Sequence, residues 1–162
     1  MLQAMTSNAN LSRHEQHGGA AEGARSRRER LHHVMTALEE TLASPARARF
    51  RPWREQLVDA LHEVHDALRD HVAETEADDG LFVRTLGDAP RLAHAVEHLR
   101  RQHVEISTQT DELTQRVKQA GEDDVDSLRQ LGTNLLVLLA RHRQLGADLL
   151  YEAYFVDVGV GD

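Results

Sequence analysis

No cysteine occurs in this sequence of 162 residues, so disulfide bonds, thiolate metal ligands and cysteine nucleophiles are all excluded. Aromatic residues make up only 4% of the chain, and such a composition, dominated by leucine, alanine and charged residues, is typical of helical bundles. No P-loop, glycine-rich dinucleotide turn or nucleophile elbow is present, so the enzyme classes that depend on them are not indicated.

The charge and the lack of long apolar runs limit the partners of this protein. Its formal net charge of −8 argues against nucleic acid as a partner. No apolar run approaches the roughly 20 residues of a membrane-spanning helix. Residues 1–23 also lack the apolar core of a secretory signal. The sequence therefore predicts a cytoplasmic protein with no membrane partner, and it leaves the oligomeric state open.

The chain divides into one folded domain with a tail at each end. Residues 1–23 are rich in small and polar residues without periodicity and are predicted to be a disordered tail. Residues 24–156 contain four stretches of helical periodicity, and residues 157–162 are predicted as a C-terminal tail. The predicted fold is all-α, an up-down-up-down antiparallel four-helix bundle. The signals that separate the helices are Ser44-Pro45, Asp79-Gly80, Asp88-Ala89-Pro90 and Gly121, with residues 81–87 as a connection.

Apolar residues recur at alternating steps of three and four along the last three helices, so each helix has one stripe to bury. The stripes contain Trp53, Leu57, Leu61, Val64 and Leu68; Leu92, Val96, Leu99, Ile106, Leu113 and Val117; and Leu128, Leu131, Leu135, Leu138, Leu145 and Leu149. Each stripe has one histidine where leucine is expected: His71, His103 and His142. At about 1.5 Å per residue, the three lie at similar depths from the loops. A buried imidazole without a partner costs roughly 1–3 kcal/mol, so a shared metal ion is expected.

The residue types leave alternatives open at this site. The three histidines could instead be core residues that bond to Thr75, Thr110 or the backbone. Glu74, three residues after His71, could complete a set of metal ligands, or it could be an exposed helix carboxylate. His32 flanks the first stripe and is a further candidate ligand. Imidazole binds iron, zinc, copper and nickel alike, so these residues do not choose the metal.

Four segments in a fixed order resemble the hemerythrin-like (HHE) domain. They are Leu31-His32-His33, then His71 followed by acidic residues and Leu81-Phe82, then Leu99-Arg100-Arg101-Gln102-His103, and finally Arg141-His142-Arg143. The resemblance covers about residues 25–155. It implies a four-helix bundle with a non-haem iron centre, usually di-iron with bridging carboxylates, that binds or senses oxygen, or handles iron or reactive species. The family's second-helix acid is Thr75 here, and Gly146 and Ala147 replace the fourth-helix acid. A mononuclear or a lost site therefore fits this chain better.

Three functions follow from this interpretation. The leading one is a hemerythrin-like protein that binds non-haem iron, mononuclear or dinuclear, with zinc as an alternative metal. It would sense a small diatomic or peroxide ligand or handle iron, with His71, His103, His142, Glu74 and His32 as candidate ligands and no catalytic residue. The second is a metalloenzyme that acts on peroxide or nitric oxide. The third is a degenerate, metal-free bundle that serves as a protein-interaction module.

Overall fold

The computed structural model describes residues 29–155, and every regular element in that range is helical. The helices, in chain order, are α1 (29–43), α2 (Phe50–Thr75), α3 (Leu81–Asp88), α4 (Ala93–Gln119) and α5 (Val125–Phe155), and single 3-10 turns at Pro90–Leu92 and Glu122–Asp124 precede the last two. The predicted all-α class is confirmed. No helix in this part of the chain has an apolar stretch long enough to cross a bilayer. The two predicted tails, 1–23 and 157–162, lie outside the described residues.

The long helices bury one apolar face each in a common core. Helix α4 packs along both α2 and α5, and α1 contributes its own apolar face to the same cluster. Two side chains also bond to the carbonyl groups at the end of α1, which have no partner within the helix. Trp53 Nε1 donates to the carbonyl of Thr41 at 3.0 Å, and Arg129 Nε donates to the carbonyl of Leu42 at 2.9 Å. Helix α1 is therefore anchored to both α2 and α5.

Helix α3 was not expected, since its segment was predicted to be a connection. Its eight residues are too few to display a helical period, and so short a helix gains little from intrinsic propensity. Tertiary packing stabilises it instead, because Phe82 is buried in a second apolar cluster together with Leu99 and Leu149. Helix α3 contacts α2, α4 and α5, so it covers one region of the bundle.

The buried face of α5 differs from the predicted stripe. Leu138 is only partly buried and Leu145 is 36% exposed, whereas Leu139 is completely buried. The face that packs inward passes through Gly132, where α5 lies close to α1. A stripe that is drawn only through apolar side chains leaves out a glycine. For this reason the sequence predicted the wrong buried face of α5 at Leu138 and Leu145.

Replacing Gly132 with alanine is expected to destabilise the protein. A Cβ atom there would lie 2.6 Å from Cδ1 of Leu42, a buried residue of α1. Overpacking of this kind costs about 1–3 kcal/mol and outweighs the higher helix propensity of alanine, which contributes at most about 1 kcal/mol. Gly146→Ala is the matched control, since its Cβ would meet nothing within 4 Å. Chemical denaturation should show the first variant less stable than the parent and the second more stable; equal stability of the two would contradict this packing.

Candidate metal centre

Three histidines from three different helices meet inside the bundle. His71 of α2, His103 of α4 and His142 of α5 each place one ring nitrogen so that all three lie within 4.8 Å of one another. The Nε2 atoms of His71 and His142 are 3.2 Å apart. The three ring centroids are separated by 4.7 to 5.4 Å. These distances allow all three imidazoles to bind one ion.

The apolar stripes account for this meeting. His103 and His142 are each 3% exposed and His71 is partly buried, so each ring occupies a position that leucine would otherwise fill. Because α4 packs against both α2 and α5, the inward positions at similar heights come together. The prediction that the three stripes bring these histidines into contact is confirmed. Their binding of a metal stays a prediction.

Two of the rings are held through their second nitrogen. His103 Nδ1 lies 2.5 Å from Oε1 of Glu76, and His142 Nδ1 lies 3.1 Å from Oε1 of Gln102. A carboxylate and an amide oxygen can only accept, so in this arrangement both Nδ1 atoms carry the proton. Neutral imidazole then has a free lone pair on Nε2, and metal-ligating histidines are usually oriented in this way.

One inner nitrogen of the cluster lacks a partner within the described part of the chain. His103 Nε2 is buried there without a hydrogen bond. An unsatisfied buried acceptor costs roughly 1–3 kcal/mol. The Nε2 atoms of His71 and His142 lie at hydrogen-bond distance, so in the metal-free protein one of these neutral rings donates its proton to the other. A metal ion would satisfy all three nitrogens at once.

Burial keeps the imidazoles neutral. Burial is the largest cause and the neighbouring His103 acts in the same direction, and the resulting pKa is about 4 for His71 and about 3 for His142. The pKa of His103 is also lowered by burial, although its hydrogen bond to Glu76 acts in the opposite direction. Ligand histidines must be neutral, so at neutral pH the cluster is ready to bind a cation without losing protons.

The other predicted ligands lie elsewhere. Glu74 and His32 are not among the groups that meet within 4.8 Å. Glu74 acts on the cluster through its charge, which raises the pKa of His71 against the larger effect of burial. His32 is exposed, and its Nδ1 lies 3.2 Å from Nη1 of Arg143. Their role as ligands stays a prediction. The histidines expected at the surface are exposed or only partly buried, namely His62, His65, His94 and His98.

Sequence reasoning missed the two groups that hold the histidine rings. Glu76 follows the last residue of α2, so helical spacing from His71 no longer gives its direction. Gln102 precedes His103 directly, and the two neighbours are both buried because α4 packs between two helices. The signal available in the sequence was the presence of polar residues near the candidate ligands, but spacing alone does not show which of these turn inward.

Helix α3 shields one face of the cluster. The Phe82 ring stacks on the His103 ring with centroids 5.7 Å apart and planes 16° apart. A centre with three neutral nitrogen ligands leaves at least one coordination position for water or a small ligand, as in catalytic and ligand-binding zinc and iron sites.

The models of known protein families, the curated proteins and the solved structures gave no match to this chain.

Proposed function

We propose that this protein binds one transition-metal ion, non-haem iron or zinc, through His71, His103 and His142, and that the ion reversibly binds a small ligand. The observation that carries the proposal is the convergence of three neutral imidazoles, with the inner nitrogen of His103 left without a partner in the described part of the chain. A core chosen only for stability gains nothing from this cluster, since leucine at these positions would avoid the cost of burying polar atoms.

The ligand set supports one ion. A di-iron centre needs bridging carboxylates, and the nearest carboxylate with a defined contact, Glu76, bonds to the outer nitrogen of His103. Thr75 stands at the position of the acid expected from hemerythrin-like domains, and its hydroxyl donates to the backbone carbonyl of His71. The resemblance to that family favours iron, with oxygen, another diatomic molecule or peroxide as the ligand. Imidazole ligands by themselves accommodate zinc equally well.

The same proposal includes the bundle topology and the family. An up-down-up-down order of α1, α2, α4 and α5 is supported by the short connection between α4 and α5 and by the similar height of the three histidines. Membership of the hemerythrin-like family is supported by the order of the histidine segments along the chain and by their meeting at one site.

Reversible binding is a better expectation than fast catalysis. Proton transfer during turnover needs an acid or base within about 3 Å of the reacting atom. Glu76 is committed to His103, and no other carboxylate lies within the cluster of ligand atoms in the described chain. Steady-state assays of the iron-loaded protein with peroxide and nitric oxide should therefore show slow turnover. Rapid turnover that is lost in Glu74→Gln at unchanged iron content would favour the metalloenzyme.

The first test is the metal content of the full chain purified without a histidine tag. Elemental analysis after loading with iron(II) or zinc should give about one tightly held ion per chain, as three converging ligands imply. A chain that holds no more metal than the variant His103→Leu would contradict the proposal and would favour a metal-free interaction module.

Glu76→Ala is expected to lower the metal affinity by about 10–100-fold, since outer partners of ligand histidines contribute this much. Glu76→Gln should fall between it and the parent, because its amide oxygen still accepts from His103 Nδ1 but lacks the charge. Competition with a chromophoric chelator measures these affinities. Glu97→Ala, an exposed carboxylate of α4, is the matched control. Affinity in Glu76→Ala equal to that of this control would rule out a role for Glu76 in orienting His103.

A further inference from the structure

A cavity adjoins the three-histidine centre. Its volume is about 350 Å³, and its lining includes His71 and His142. The rest of the lining is mainly apolar and comes from several helices, with Leu81, Phe82, Leu99 and Leu150 among its residues. The cavity therefore offers both a metal site and an apolar surface to one bound molecule.

The cavity is larger than a diatomic ligand requires. A molecule of that size needs about the space of one water, roughly 30 Å³. Pockets that hold small organic molecules span roughly 300–1,000 Å³ and combine apolar walls with a few polar groups. At about 350 Å³, this cavity lies at the lower end of that range. Its size indicates a compact organic ligand.

A glycine of α5, Gly146, borders the cavity. It lies inside α5 and lines the cavity, and a Cβ atom at this position would meet nothing within 4 Å. Glycine inside a helix is less stable than alanine, and no close contact with another element requires it here. A large side chain at this position is therefore expected to reduce the cavity.

The charge around the cavity favours an anionic head group. A divalent ion bound by three neutral imidazoles keeps its full positive charge, and Arg143 is among the residues that line the cavity. No aspartate or glutamate is among the described residues of the lining. Carboxylate oxygen is a good ligand for iron and for zinc.

We propose that the cavity binds a small monocarboxylic acid with an apolar body, whose carboxylate coordinates the ion held by His71, His103 and His142. This inference rests on the proposed metal binding. The apolar body would lie against the leucines and Phe82, and its head group would occupy the coordination position that the histidines leave free.

Titration calorimetry of the zinc-loaded full chain with acetate, butyrate and hexanoate tests the inference. Affinity should rise about fourfold for each added methylene, the value for full burial of such a group, until the cavity is filled. Gly146→Leu, which fills the cavity, should weaken hexanoate binding at least tenfold while acetate affinity and zinc content stay unchanged. Gly87→Leu is the matched control, since Gly87 is an exposed helical glycine with open space around it.

The possible results separate the two proposals. A parent protein that takes up no zinc overturns both of them at the first step. Zinc uptake with no gain in affinity along the acid series overturns the carboxylic acid alone and leaves the metal site intact. Equal hexanoate affinity with and without zinc overturns coordination by the carboxylate. If Gly146→Leu loses zinc, the acid series on the parent and on the smaller Gly146→Val decides the question.

Discussion

Replacing His103 with leucine should abolish tight metal binding and leave the metal-free protein at least as stable as the parent. Metal binding at structural zinc sites contributes about 10–16 kcal/mol of free energy. Shared among the ligands, this is a few kcal/mol for each, so the loss of one ligand should lower the metal affinity on the order of 10²–10³-fold. The substitution also removes a buried Nε2 that has no partner in the described chain, which costs the parent roughly 1–3 kcal/mol. Glu76 loses its partner but remains hydrated, since its side chain is 32% exposed.

Elemental analysis and thermal unfolding, with and without metal, measure the two effects of His103→Leu separately. His98→Leu is the matched control, because this exposed histidine lies on the same helix and outside the cluster. A control with parental metal content beside an empty His103→Leu variant supports the site. Equal metal content in both variants would show that His103 is not a ligand.

Acid should destabilise the metal-free protein well before its ordinary carboxylates titrate. Unfolded histidine has a pKa near 6.5, whereas the folded values are about 4 for His71 and about 3 for His142. Between pH 6.5 and 4 the unfolded chain therefore binds more protons, so the free energy of unfolding falls as pH falls through this window. Each unit of pKa shift is worth about 1.4 kcal/mol, so each of the two histidines should contribute a loss on the order of 3 kcal/mol by pH 4.

Urea denaturation of the metal-free protein at a series of pH values checks this expectation. His142→Leu should have a shallower pH profile between pH 6.5 and 4, because it removes a buried histidine whose pKa is about 3. His94→Leu, an exposed histidine at the start of α4, should keep the parental profile. Identical profiles for His142→Leu and the parent would mean that the buried cluster does not set the acid sensitivity. Bound metal should also be released in the acidic part of this range, since protons compete for the ligands.

Helical periodicity by itself determined which histidines face inward. His71, His103 and His142 replace leucine in three stripes, and the buried Leu135 and Leu149, seven residues to either side of His142, keep it on the inward face although Leu145 is exposed. The all-α class and the loop signals around α2, α4 and α5 follow from the same local rules. The lack of cysteine also excludes thiolate ligands from any metal site here.

Only the tertiary structure decided what surrounds these histidines. Glu76 lies past the end of α2, where helical spacing no longer applies, and the chain reversal before α3 brings it to His103. Gln102 is buried because α4 packs against two helices, which widens its buried face beyond a single stripe. The phase of α5, the helical state of α3 and the cavity beside Gly146 depend likewise on contacts between distant segments. Local sequence patterns do not encode such contacts, because they arise from how whole helices fit together.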